Sequence, residues 1–175
     1  MKINISNLSQ GTHEYELSKN AVELGLSESF DGEVHAKVTL EKSSRQMLLK
    51  VGASSEAAFQ CDRCLDEFKR TITSTFQLLF VWDEADRGGN NVDEVRELSA
   101  DTNIIYISND VRDAIVLAVP LKLLCKENCV GLCPRCGKNL NRAQGRTCDC
   151  EPWEVDPRWN KLSGLVEVSL LTKKN

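Results

Sequence analysis

The sequence predicts an α+β fold: an antiparallel sheet of about four to five strands, a packed helix, a cysteine-rich C-terminal segment and a closing helix. Three observations carry that prediction. Apolar residues recur with period two through residues 33–82, as in half-buried strands. One later stretch switches to helical spacing and stops at a proline. Eight cysteines then stand in two blocks, Cys61 and Cys64 alone, and Cys125, Cys129, Cys133, Cys136, Cys148 and Cys150 crowded together.

Val34, Ala36, Val38 and Leu40 alternate with Glu33, His35, Lys37, Thr39 and Glu41, which gives a first strand. After a polar turn at Glu41–Arg45, Met47, Leu49, Val51 and Ala53 repeat the pattern, and the run continues through Phe59. Ile72, Phe76, Leu78, Phe80 and Trp82 form the next, and short polar connections make consecutive strands antiparallel neighbours. Cys61 and Cys64 fall between two of these strands, at a hairpin tip. Residues 83–101 are acidic, Gly- and Asn-rich and nearly free of large apolar groups, so they are expected to form a flexible loop. Asn103–Ile107 is a short apolar strand. Ser108 is placed to cap a helix over Asn109–Val119, with Asp110 and Asp113 in its first turn, Val111, Ile115, Ala118 and Val119 on one face, and Pro120 at its end. A closing helix is expected over Asp156–Val168, with Trp159, Leu162, Leu165 and Val166 apolar and Gly164 costing about 1 kcal/mol relative to Ala. The chain thus divides into a β-rich α+β domain, residues 1–120, and a cysteine-rich segment with the closing helix, residues 121–175, expected to pack on it.

Thiolates at this density suit zinc, because four soft ligands close a tetrahedron over short loops. Buried structural cysteine is the bland alternative, but core cysteines do not gather beside Gly, Pro and Asn. Disulfides imply a secreted domain, and the first residues, MKINISNLSQGTHEYELS, contain no apolar core of signal length. Nor does any stretch approach the roughly 18 apolar residues of a membrane span. A cytoplasmic protein with one or two bound zinc ions is the expectation. Cys133-Pro-Arg-Cys136-Gly reads as a knuckle whose partner pair is Cys148 and Cys150, leaving Cys61, Cys64, Cys125 and Cys129 for a second site. The other grouping, Cys125 with Cys129, Cys133 and Cys136, strands the two outer pairs.

Catalysis finds little support. Catalytic zinc keeps an open position, often among His or Glu ligands, and His13 and His35 both fall on polar stretches. The sequence holds no Gly-rich phosphate loop, no Ser/His/Asp order and no H-E-x-x-H. The expectation is therefore no enzyme and no small-molecule substrate. A redox C-x-x-C gains reactivity from nearby cations, whereas Asp62, Asp66 and Glu67 surround Cys61 and Cys64. The net charge of −4 is uneven: residues 1–119 carry 12 basic and 20 acidic side chains, residues 120–175 carry 10 and 6. From Pro134 to Thr147 there is no acid, and Arg135, Lys138, Arg142 and Arg146 could touch RNA phosphates, with Asn139 and Asn141 as polar readers. Alternatively these cations balance thiolate charge. The acidic remainder disfavours nonspecific binding to naked RNA and fits docking onto a basic protein or an RNA–protein particle. Trp159 and Trp82 read as packed residues; Trp153 could stack on a base.

Cys61-Asp-Arg-Cys-Leu-Asp-Glu-Phe68, Gly131-Leu-Cys-Pro-Arg-Cys-Gly-Lys-Asn-Leu-Asn141, Cys148-Asp-Cys150 and Asp156-Pro-Arg158 together resemble the YceD family of large ribosomal RNA subunit accumulation proteins. The resemblance implies a noncatalytic role in large-subunit ribosomal RNA accumulation or processing and ribosome biogenesis. A ribosomal RNA precursor or a ribosomal protein would be the partner. It also implies that the Cys133–Cys150 cluster is an accessory brace, since some members lack it. A zinc-dependent redox-sensing or chaperone-like module is the alternative.

Overall fold

The computed structural model describes residues 1–83, 94–99, 101–142, 148, 150 and 158. In chain order the elements are β1 (Lys2–Asn4), β2 (Gly11–Asn20), a 3-10 turn at Val22–Leu24, β3 (Glu33–Lys42), β4 (Gln46–Gln60), β5 (Glu67–Val81), β6 (Glu94–Glu97), β7 (Ile104–Tyr106) and α1 (Ser108–Leu117). Five strands form one sheet in the order β2-β3-β4-β5-β6, and β1 pairs with β7 in a second, two-stranded sheet. The fold is α+β. Two compact units divide the chain, Met1–Cys129 and Val130–Asn175, and all the named elements belong to the first.

Alternation dictates the large sheet. Val34, Ala36, Val38 and Leu40 on β3 and Met47, Leu49, Val51 and Ala53 on β4 are buried, while Glu33, His35, Lys37 and Lys50 between them are exposed. The register sets Val38 opposite Val51 and Leu40 opposite Leu49, so branched and straight apolar side chains pair across the strands. The polar turn at residues 43–45 closes on itself, with the Ser43 N–H donating to the Gln46 carbonyl at 2.9 Å and the Gln46 N–H to Ser43 Oγ at 3.2 Å. β4 and β5 run antiparallel for 15 residues each, from Gln46↔Val81 to Gln60↔Glu67, which puts residues 61–66 at the tip of a long hairpin. The inner face of the sheet shares one core with Ile3 and Ile5, Leu24 and Phe30, Ile105 and Ile107, and Val111 and Ile115 of α1.

Several expectations are corrected. β2 runs over residues that read as a polar stretch. Its inward side chains, His13, Tyr15, Leu17 and Lys19, are only half-buried because it is an edge strand, so the alternation is faint. The flexible acidic loop expected over residues 83–101 contains β6, which pairs with β5 in parallel, so the sheet is mixed rather than antiparallel throughout. Burial of Leu98 and ion pairing by Arg96 hold a segment whose composition alone favours a loop. Arg96 donates from Nη1 to Asp110 on α1 at 3.2 Å and from Nε to Glu94 at 2.8 Å. Ser108 does not cap α1; its Oγ donates to the Met1 carbonyl at 3.2 Å. The helix ends at Leu117, two residues earlier than expected, yet Ala118 and Val119 still pack against the core, as does Trp82. Apart from Arg158, the expected closing helix over 156–168, with Trp159, lies outside the described residues, as does Trp153.

Ile115 is fully buried where α1 meets the sheet. Ile115→Ala is expected to destabilise the protein by about 2–5 kcal/mol, the cost of a large-to-small core change, read as a lower urea midpoint at unchanged slope. A loss below about 1 kcal/mol would show that α1 does not anchor the sheet.

Candidate metal centres

The tip of the β4–β5 hairpin is wound around a sulfur. The Cys61 N–H donates to the Asp66 carbonyl and the Leu65 N–H to the Cys61 carbonyl, each at 2.9 Å, with Leu65 at a left-handed φ of 58°. The second C-x2-C repeats this frame position for position. The Cys133 N–H donates to the Lys138 carbonyl and the Gly137 N–H to the Cys133 carbonyl, again each at 2.9 Å, with Gly137 at φ 71°. Two knuckles of one design therefore sit about seventy residues apart, one in each compact unit. Glycine takes the left-handed position without a steric penalty in one, and leucine takes it in the other.

Each knuckle meets a second cysteine pair. Cys61, Cys64, Cys125 and Cys129 bring four Sγ atoms within 4.8 Å of one another, and Cys133, Cys136, Cys148 and Cys150 do the same. Cys61 lies 3.7 Å from Cys129 and Cys64 lies 3.6 Å from Cys125, sulfur to sulfur; Cys133 lies 3.2 Å from Cys148. All eight are free thiols, not disulfides. Four thiolates around zinc at about 2.3 Å would have sulfur–sulfur edges near 3.8 Å, so the first cluster is close to the size of that tetrahedron. The grouping Cys125, Cys129, Cys133 and Cys136 is not the one the structure assembles.

The electrostatics of the clusters suit a cation. Burial pushes the Cys61 thiol up, but the amides of Cys125, Arg63 and Cys64 outweigh it and bring it down to about 6. The amides of Cys136 and Arg135, with the Cys148 thiol, bring Cys133 down to about 6. Burial, then the thiols of Cys61, Cys125 and Cys129, push Cys64 up to about 12, and burial also raises Cys125. In the other cluster the thiols of Cys136 and Cys148, then burial, push Cys150 up to about 12. One ionised sulfur per cluster is stabilised by backbone dipoles; four together repel one another unless a positive ion lies among them.

The non-cysteine residues of the first knuckle stitch it to the chain that follows α1. The Asp62 N–H donates to the Leu123 carbonyl at 2.8 Å, and the Leu123 N–H donates to Asp62 Oδ2 at 2.6 Å. Arg63 Nη1 donates to the Cys129 carbonyl at 2.7 Å, and Arg70 Nη2 donates to the Leu124 carbonyl at 3.1 Å while its guanidinium lies 5.5 Å from the Phe68 ring centre. In the sequence Asp62 is only a charge beside Cys61 that argues against redox chemistry. Its partner lies 61 residues away, and no local pattern signals such a bond. The clusters also differ in burial. Cys61, Cys64 and Cys129 are 0–2% exposed, whereas Cys136 is exposed and Cys148 and Cys150 are half-buried.

His35 is exposed on β3, and the His13 ring nitrogen Nε2 lies 3.0 Å from the Ser9 carbonyl. Neither histidine joins a metal-ligating group among the described residues. Around the second knuckle Arg135, Lys138 and Arg142 are exposed, and Arg146 lies outside the described residues. Asn139 and Asn141 turn inward on the loop. Asn139 Oδ1 accepts from the Asn141 N–H at 3.0 Å, and Asn141 Oδ1 accepts from the Val130 N–H at 3.0 Å. They shape the knuckle before they can read anything outside it.

A five-stranded α+β unit with a cysteine knuckle at its hairpin tip, followed by a second cysteine cluster, defines a class of small thiol-braced protein. The model of the family described as "Large ribosomal RNA subunit accumulation protein YceD" matches residues 49–166, more than half of the chain and inclusive of all eight cysteines. The chain belongs to the YceD family. An uncharacterized protein of Mycobacterium tuberculosis is 29% identical over 128 residues, 73% of this chain and 59% of that protein. The chloroplastic large ribosomal RNA subunit accumulation protein YCED homolog 1 of Arabidopsis thaliana is 26% identical over 159 residues, covering 77% of this chain and 49% of that protein. Its Zea mays namesake is 30% identical over 121 residues, 54% of this chain and 41% of that protein. The chain thus spans less than two thirds of the length of these curated relatives. No solved structure matches.

The two knuckles make one test of each other. Leu65→Gly releases about 1 kcal/mol of left-handed strain and loses a similar amount from a leucine that is 54% exposed. Its thermal midpoint is expected to stay close to that of the parent. Gly137→Ala, where an added Cβ meets nothing within 4 Å, is expected to cost about 1 kcal/mol through backbone strain alone. A large loss in Leu65→Gly, or none in Gly137→Ala, would show that the two frames are not equivalent.

Proposed function

We propose that this chain is a noncatalytic factor in large-subunit ribosomal RNA accumulation and ribosome biogenesis, acting in the cytoplasm by binding precursor RNA or a ribosomal protein. Membership of the YceD family is the observation that carries this reading. The geometry agrees with a binding rather than a catalytic role. Each cysteine cluster offers four ligands and leaves no open position for a substrate. No helix among the described residues is long and apolar enough to cross a membrane.

Zinc is the metal this reading assigns, held by Cys61, Cys64, Cys125 and Cys129 in one site and by Cys133, Cys136, Cys148 and Cys150 in the other. Thiolate ligands and sulfur spacings support it. When bound, zinc would supply bracing alone. In the first site it would close loops of about sixty residues, which constrains the unfolded chain strongly. Exposed Arg135, Lys138 and Arg142, with Arg146, Asn139 and Asn141 on the same loop, are the residues this reading assigns to phosphate and sugar contact.

The two clusters are expected to release metal unequally. With a chromogenic chelator, about one equivalent should leave quickly from the open Cys133 cluster while near-UV circular dichroism holds. A second equivalent should leave slowly with loss of the fold. Cys61→Ala should abolish the slow phase and Cys136→Ala the fast one. Simultaneous release of both would refute the assignment of unequal burial to unequal lability.

The functional reading is tested by sedimenting the tagged protein on a sucrose gradient and probing the RNA of each fraction. Co-migration with large-subunit precursors, weakened at high salt, and less mature large-subunit RNA on depletion are expected. Protein confined to the top of the gradient with an unchanged RNA profile would overturn it. A thiol-redox module, for which exposed Cys136 is the relevant feature, would then lead.

A further inference from the structure

We propose that the cleft between α1 and strands β5 and β6 docks a basic polypeptide segment carrying an apolar anchor residue. This deepens the functional reading above and rests on it, by assigning a protein rather than RNA to one particular surface. The cleft has a volume of about 440 Å³ and combines two chemistries. Phe76, Leu78 and Ala114 supply apolar surface; Glu94, Asp110 and Asp113 supply carboxylates. Arg96 bridges Glu94 and Asp110, so two of the three acids are held in fixed geometry. Its hydrogen bond keeps the Glu94 carboxyl below the ordinary carboxylate range.

The helix end beside this cleft is unusually bare. Leu117, which lines the cleft, is 85% exposed, Val116 is 51% exposed, and Leu121 just beyond the helix is completely exposed. A single exposed leucine needs no explanation, but three large apolar side chains within six residues, next to a cleft, mark a surface that a partner covers. The charge selects the kind of partner. Among the described residues three carboxylates line the cleft, Glu94 and Asp110 paired with Arg96 and Asp113 paired with Arg112 at 2.8 Å, which leaves a local excess of one negative charge. Residues 1–129 carry 14 basic and 21 acidic side chains, a net of −7. Phosphate is repelled by such a field, whereas lysine and arginine beside an apolar side chain match both halves of the cleft.

Leu117→Asp and Asp113→Lys test this in the full-length, metal-loaded protein. Binding is measured to purified intact large ribosomal subunits and, separately, to the RNA extracted from them. Both side chains are exposed, so thermal midpoints should stay within about 2 °C of the parent. Each variant should bind intact subunits roughly tenfold more weakly, the scale of one buried leucine or one complementary charge, with no difference on the bare RNA. Unchanged binding of Leu117→Asp to intact subunits would overturn the proposal. So would a midpoint lowered by several degrees, which would show that another segment of this chain covers Leu117. An equal defect on bare RNA would assign the cleft to nucleic acid and overturn it as well. Failure of the parent protein to bind intact subunits at all would overturn the docking proposal, whereas the functional reading itself stands or falls on the gradient.

Discussion

Four sulfurs drawn within 4.8 Å of one another, from residues up to 68 positions apart, are the constraint on which the first compact unit depends. Cys61 and Cys64 belong to the tip of a 15-residue hairpin; Cys125 and Cys129 belong to the chain that leaves α1. Fixing them together brings the far end of the hairpin to the exit of the helix, and everything between is then a closed circuit. β5, β6, β7 and α1 must all lie within it. Asp62, Arg63 and Arg70 donate to or accept from backbone groups of residues 123–129, so hydrogen bonds span the same crossing as the four sulfurs.

The two knuckles share a backbone and differ in setting. In the first, backbone amides draw Cys61 down against its burial while burial and neighbouring thiols push Cys64 up, and three of the four thiols are buried. In the second, Cys136 faces solvent and the turn carries exposed Arg135, Lys138 and Arg142. One design can therefore serve as a core element in one unit and as a surface in the other. Charge divides along the same line: the first unit is acidic, and the cations without an intervening acid gather on the second knuckle's loop.

Much of this was legible from residue order. Period-two alternation located β3, β4 and β5, and the eight cysteines sorted into the groups that the structure assembles. Helical spacing located α1 to within two residues at its end. The failures share a cause. β2 is an edge strand whose inward side chains are only half-buried, and β6 is short and joined to the rest by Leu98 and by the bonds of Arg96. In both, stability comes from pairing and side-chain bonds outside the strand itself, which its own alternation does not record.

The sequence by itself therefore determined which residues alternate, which thiols can close a knuckle, and which family the chain resembles. Each depends on spacings of a few residues and on the chemistry of the side chains themselves. Only the tertiary structure decided that β6 runs parallel to β5, that Asn139 and Asn141 bind their own loop, and that Asp62 holds Leu123. It alone left Leu117 bare beside an acidic cleft. These are matters of what meets what across the fold, and a contact between residues sixty positions apart is fixed by packing the whole core, not by any window of the chain.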